Sequence, residues 1–214
     1  MDAGFWHKKW AEGDIGFHAQ EVNPSLREHF GKLQMAPGAR VFLPLCGKTR
    51  DIGWLRDEGY RVTGAELSEL AIKELFNELG LVPEITGSDK HVCYQSGNIR
   101  IFVGDMFEVT AKQLGPIDAI YDRAALVALP MEMRARYAAH LIDITDAAQQ
   151  LLISYEYDQH LMNGPPFSVH ADEVRRLYSV VYDVRPLETH EVPGGLRGKI
   201  PATETVWALQ MAHC

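Results

Sequence analysis

Cysteine is scarce. Cys46, Cys93 and Cys214 are the three in 214 residues, too few and too scattered for a disulfide framework. Long apolar runs are missing too. None approaches the ~20 residues of a membrane span, and the N-terminal string MDAGFWHKKWAEGD holds no signal-peptide core. A cytoplasmic protein is expected. Basic charge is in deficit: 21 Lys+Arg against 29 Asp+Glu gives a net charge of −8 with His neutral. Such a chain lacks the basic footprint that nonspecific binding to nucleic acid or anionic lipid needs, so neither partner is expected. Nine histidines are present, none in HxxxH, HExxH or CxxC-type spacing. His91 and Cys93 stand two apart, which on a strand puts both on one face. A half-exposed strand is expected there rather than a zinc pair, and no metal is expected elsewhere.

What is present is an ordinary globular composition, 46% apolar and 23% charged. A chain of this length buries roughly 70% of the surface its unfolded form exposes, so it needs no cross-link to fold. There are no repeats and no linker-like stretch. One domain over 1–214 is expected, with 1–35 as an N-terminal helical lid segment.

Short apolar runs alternate with helical periodicity, the mark of an α/β fold. Residues 4–12 read as a short helix carrying Phe5, Trp6 and Trp10. Asn23-Pro24 starts a second, with Asn as N-cap and Pro at the first helical position, closed by Gly31. Residues 39–45 are an apolar strand, 46–49 its loop, and 50–58 a helix ended by Gly59. A strand over 61–65 ends at Glu66. Ser68 caps the next helix, whose Ile72, Leu75, Phe76 and Leu79 follow i, i+3, i+4, i+7, with Gly80 past its end. Residues 91–95 and 99–103 read as a hairpin, and 116–121 as a buried strand followed by Asp122-Arg123. Pro130 opens a long helix with Met133, Tyr137, Leu141 and Ile144 inward. A strand at 151–155, a helix near 171–178 and two strands near 180–189 and 203–211 complete the chain. This order predicts a doubly wound, mostly parallel sheet with an antiparallel edge hairpin.

In such a sheet ligands bind beyond the carboxyl ends of the strands, at the switch point. The residues to weigh are therefore 45–49, Glu66, Asp105, Asp122-Arg123 and 155–157. Glu66 stands 19 residues after Gly47, the spacing at which a carboxylate accepts from ribose hydroxyls; a solvated strand-end Glu fits equally. Three ligands compete. A dinucleotide needs G-x-G-x-x-G, and the loop after Gly47 lacks it. A nucleoside triphosphate needs G-x-x-x-x-G-K-[ST]; Gly47-Lys48-Thr49 imitates its end, but Phe42 occupies the first glycine position. S-adenosylmethionine has a ribose and an adenine but no phosphate. It tolerates one glycine, needs the ribose acid, and wants a group beside the adenine. Gly47, Glu66 and Asp105 meet those demands.

Six strings in order, FWHKKWAEGDIGFH, VFLPLCGKTRDIGWL, VTGAELSELAI, GNIRIFVGDMF, IYDRAALVALP and NGPPF, resemble the thiopurine S-methyltransferase family. The similarity runs from about Phe5 to Leu209, and the length suits a bacterial member. It implies a class I S-adenosylmethionine-dependent methyltransferase fold of seven strands, and S-methylation of aromatic and heterocyclic thiols. Bacterial members are also linked to tellurium and selenium compounds, which makes a detoxifying role the alternative. Carried over, Trp10 closes over the cofactor, Leu45 and Gly47 line its methionine end, and Glu66 holds the ribose. Asp105 and Met106 border the adenine. Arg123 sits beside the methionyl and acceptor region as the catalytic candidate. Phe17, Pro165 and Pro166 face the acceptor. The loop with Arg197 matches poorly. Phe5 and Trp6 are expected as packing, Cys46 as a buried, inert thiol, and Arg123 has Asp122 or Glu156 as alternative structural partners. A monomer acting on a small thiol, selenium or tellurium acceptor is expected.

Overall fold

The computed structural model describes residues 3–87 and 90–211; Cys214 lies outside them. Helix α1 (Ala3–Ala11) and helix α2 (Pro24–His29) precede the sheet. Asn23 accepts from Leu26 N at 3.1 Å with Pro24 behind it, so the expected start of α2 holds. Its end does not: Gly31 falls inside a 3-10 turn (Phe30–Leu33), and Gln34 takes the left-handed position at φ 52°.

Strand β1 (Arg40–Pro44), helix α3 (Asp51–Asp57), strand β2 (Arg61–Glu66) and helix α4 (Glu69–Glu78) follow as expected, with Ser68 accepting from Ala71 N. Then come strands β3 (Glu84–Gly87), β4 (Val92–Ser96) and β5 (Ile99–Val103), a short helix α5 (Ala111–Leu114), and strand β6 (Ala119–Arg123). Helix α6 (Met131–Thr145), strand β7 (Gln149–Glu156), helix α7 (Ala171–Tyr178) and the pair β8 (Tyr182–Glu191) and β9 (Thr203–Met211) close the chain.

The nine strands lie in the order β3-β4-β5-β2-β1-β6-β7-β9-β8. Strands β5, β2, β1, β6 and β7 are parallel, flanked by antiparallel strands at both edges. The expected seven strands are thus too few. Strand β3 escaped notice because all four of its residues are exposed, so it carries no buried alternation.

The sheet divides the core. Val41 and Leu43 of β1 pack with Leu26, Ile52, Leu55, Ile72 and Phe76 on one face. Phe42 packs with Leu114, Tyr137, Leu141, Val174 and Tyr178 on the other. Helices α2–α4 and α5–α7 therefore cover opposite faces, the doubly wound arrangement. Among the described residues no helix is long and apolar enough to cross a membrane.

His91 corrects the half-exposed strand expected for the His91/Cys93 pair. It lies just before β4, is buried, and its Nε2 sits 3.0 Å from the Asp105 carbonyl oxygen. Among the described residues Glu28, His29 and Glu188 converge between α2 and β8, a grouping no local spacing announces. His29 there already has both ring nitrogens engaged, Nε2 with Glu188 at 2.6 Å and Nδ1 with Lys32 at 2.9 Å.

Candidate active site

The strand order reverses between β1 and β6, so the loops after these two strands diverge and leave a crevice. The backbone there is unusual. Leu45 (φ 48°) and Ala124 (φ 61°), just past the two strand ends, are non-glycine residues in the left-handed region. Such conformations persist where surrounding structure holds them, and they gather at functional sites.

Beyond these ends lies a cavity of about 800 Å³, inside the range of small-molecule sites. All ten of the expected site residues line it: Trp10, Phe17, Leu45, Gly47, Glu66, Asp105, Met106, Arg123, Pro165 and Pro166.

Glu66 anchors one side. Its Oε2 accepts from Gly47 N at 2.8 Å and its Oε1 from Ser68 N at 2.8 Å. Burial pushes its pKa up, and these amides oppose that. A carboxylate oxygen has two acceptor directions, so one on each oxygen remains for a ligand's hydroxyls. Gly47 adopts φ +52°, and a Cβ there would stand 3.1 Å from the Trp10 ring. The absent side chain therefore lets the indole settle on the loop. Trp10 is buried and meets Phe17 edge-to-face at 5.5 Å, and Trp6 does the same at 5.5 Å. Phe5 and Trp6, expected as packing, also line the cavity.

Asp105 caps the turn carrying Met106, accepting from Phe107 N at 2.9 Å. Arg123 donates from Nη1 to the Phe17 carbonyl at 3.2 Å, tying the N-terminal segment to the end of β6. Its expected partners are engaged elsewhere. Asp122 accepts from Leu126 N and the Tyr137 hydroxyl, and Glu156 pairs with His170. Arg123 Nε is buried without a hydrogen-bond partner.

The Pro165-Pro166 turn is fixed at three points. Phe167 N donates to Val127 O at 2.6 Å, the Tyr157 hydroxyl to Pro166 O at 2.6 Å, and Arg197 Nη2 to Pro165 O at 3.0 Å. Arg197 thus stands in the cavity although its loop matched poorly; the contact is made across 32 residues of chain, with no local signal. His18 also lines the cavity, its pKa lowered by burial and then by Lys48.

Two readings of the loop are settled by contacts. Lys48 points to Glu74 (2.8 Å) and Glu78 (2.7 Å) rather than forming a phosphate cradle. Cys46 is buried, and burial followed by the Glu66 charge pushes its thiol well up, so it is a poor nucleophile.

The sheet order and the switch-point cavity are those of the S-adenosylmethionine-dependent methyltransferase fold. Solved structures agree. The 1,6-didemethyltoxoflavin-N1-methyltransferase of Burkholderia thailandensis, solved with 1,6-didemethyltoxoflavin and S-adenosylhomocysteine bound, superposes with TM-score 0.65 at 15% identity, over 97% of this chain and 87% of that one. The particular family comes from sequence. The thiopurine S-methyltransferase family model matches residues 1–205. A thiopurine S-methyltransferase from Xanthobacter autotrophicus is 55% identical over 99% of this chain and 100% of its own. One from Teredinibacter turnerae is 50% identical over 98% and 97%. The chain belongs to the thiopurine S-methyltransferase family and is a methyltransferase.

Proposed function

We propose that this enzyme methylates the sulfur of aromatic and heterocyclic thiols with S-adenosylmethionine as donor. The observation that carries it is the buried Glu66 carboxylate, pinned by two amides yet keeping acceptor directions for a ribose, at one side of a cavity whose other wall is proline and aromatic. The donor, when bound, supplies a methyl group activated by its sulfonium charge.

The chain's own residues bind and orient. Glu66 takes the ribose hydroxyls, Asp105 and Met106 border the adenine, and Leu45 and Gly47 line the methionine end. Trp10 covers them from α1, with 1–35 acting as a lid on a single domain. Phe17, Pro165 and Pro166 offer flat surfaces to an aromatic ring. Arg123, with an Nε that has no other hydrogen-bond partner, favours a thiolate by opposite charge. Holding acceptor and donor in line is the main contribution, since orientation alone can supply ~7–11 kcal/mol of a barrier. We place the reaction in the cytoplasm and in a monomer, with no nucleic-acid partner.

A panel of acceptors tests the reading. With a labelled methyl donor, arylthiols and heterocyclic thiols should take up label. Label appearing only on selenols or tellurite would replace thiol methylation with the alternative detoxifying role. No transfer to any acceptor would overturn both.

A further inference from the structure

A buried arginine just outside the cavity ties two of its lining segments together. Arg134 is near the start of α6, its side chain is 3% exposed, and it does not itself line the cavity. It stands toward the positive end of the helix dipole, where a cation gains nothing from the helix. A buried charge needs partners, and here they come from outside α6. Nε donates to the Leu129 carbonyl at 2.9 Å. Nη1 donates to the Ser168 carbonyl at 3.1 Å and to Glu173 Oε2 at 2.7 Å. The guanidinium also lies over the Phe167 ring, 5.8 Å from its centroid.

These contacts bracket one junction. Val127, Ala128 and Leu129, from the connection between β6 and α6, line the cavity, and so do Gly164, Pro165 and Pro166. The two segments meet where Phe167 N donates to the Val127 carbonyl. Arg134 grips the first segment just past Val127, at Leu129, and the second just past Phe167, at Ser168. Phe167 in turn backs the start of the proline turn. Gly164 has φ +72°, and a Cβ there would stand 2.5 Å from the Phe167 ring. One planar group behind the wall therefore holds both segments that form it.

We propose that Arg134 is a positioning residue for the methyl acceptor. By locking the 127–129 and 164–168 segments into one wall, it places the surface against which a flat ring lies. This deepens the thiol reading above and rests on it. The partners of Arg134 all belong to this wall or to α7 behind it, while the Glu66 and Gly47 amide contacts lie after other strands. Acceptor and donor binding should therefore separate when the clamp is loosened. A lysine at this position keeps a positive charge for Glu173. It has no planar face for Phe167 and no rigid fork to span Leu129 and Ser168 together.

The test is Arg134→Lys beside Phe167→Leu, assayed with an aromatic thiol. Phe167 does not line the cavity, so its substitution acts through the turn. Leu75→Ala, a buried position on the opposite face of the sheet, controls for lost stability alone. In both test variants the acceptor KM should rise and kcat/KM fall by about tenfold or more, while the S-adenosylhomocysteine Kd from calorimetry stays within about twofold. Millimolar guanidinium chloride should restore part of the efficiency lost in Arg134→Ala, and sodium chloride should not. Unchanged acceptor constants, donor and acceptor affinity lost together, an equal kinetic loss in Leu75→Ala, or no rescue by guanidinium would each overturn the positioning role. Wild-type enzyme inactive on every thiol would instead overturn the thiol reading beneath it.

Discussion

Replacing Trp10 by Ala separates a lid from a core. Trp10 is the buried residue of α1, a helix of nine residues. A tryptophan buries ~150–250 Å², worth about 4–6 kcal/mol at ~25 cal/mol/Å². Were the helix part of the cooperative fold, the substitution should cost roughly 3–5 kcal/mol of global stability. Yet ordering a residue's backbone costs ~1–2 kcal/mol, and isolated helices of this length are marginal in water. One anchor cannot hold α1 against that entropy once removed, so the segment detaches instead. The expected outcome is a midpoint shift of only a few degrees in thermal denaturation, with at least tenfold weaker S-adenosylhomocysteine binding by calorimetry. A loss of several kcal/mol in stability with affinity intact would make Trp10 a core residue and end the lid account.

Glu66→Ala should weaken donor binding by ~1.5–3 kcal/mol, the range for a hydrogen bond to a charged group; unchanged affinity in calorimetry would refute the ribose role. Asp122 is buried and its pKa pushed up to about 6, by burial first, against the Leu126 amide and Tyr137 hydroxyl that lower it. Its unfolded value is ~3.9, so the native state binds the extra proton between the two values and stability falls as pH rises through that window. At ~1.4 kcal/mol per unit this amounts to about 3 kcal/mol. Asp122→Asn should therefore gain stability relative to the parent between pH 4 and 7 in urea titrations; parallel curves would contradict this. EDTA should leave activity intact, because no metal-ligand spacing points at the cavity; activity lost to EDTA and restored by a divalent ion would show otherwise. Deuterium exchange over residues 5–17 should slow when S-adenosylhomocysteine binds; equal rates with and without it would count against closure.

Much of this was legible from local chemistry. The caps at Asn23 and Ser68 and the apolar spacing of α4 are decided within one helical turn, and they appear as read. Glu66, Asp105 and Arg123 were weighed because a parallel sheet aims its strand ends at one place, and all three line the cavity there. What escaped was decided elsewhere in the chain. Strand β3 has no buried face and exists by pairing with β4. Arg197 reaches the cavity by folding its loop back to Pro165.

The account's central claim is sulfur methylation, and a heterocycle with competing nucleophiles tests it most directly. 6-Mercaptopurine offers its sulfur beside several ring nitrogens. Incubated with the enzyme and S-adenosylmethionine, it should give the S-methyl product, identified by mass spectrometry and its methyl NMR shift. Methylation on a ring nitrogen, or recovery of the unmodified thiol, would contradict the claim.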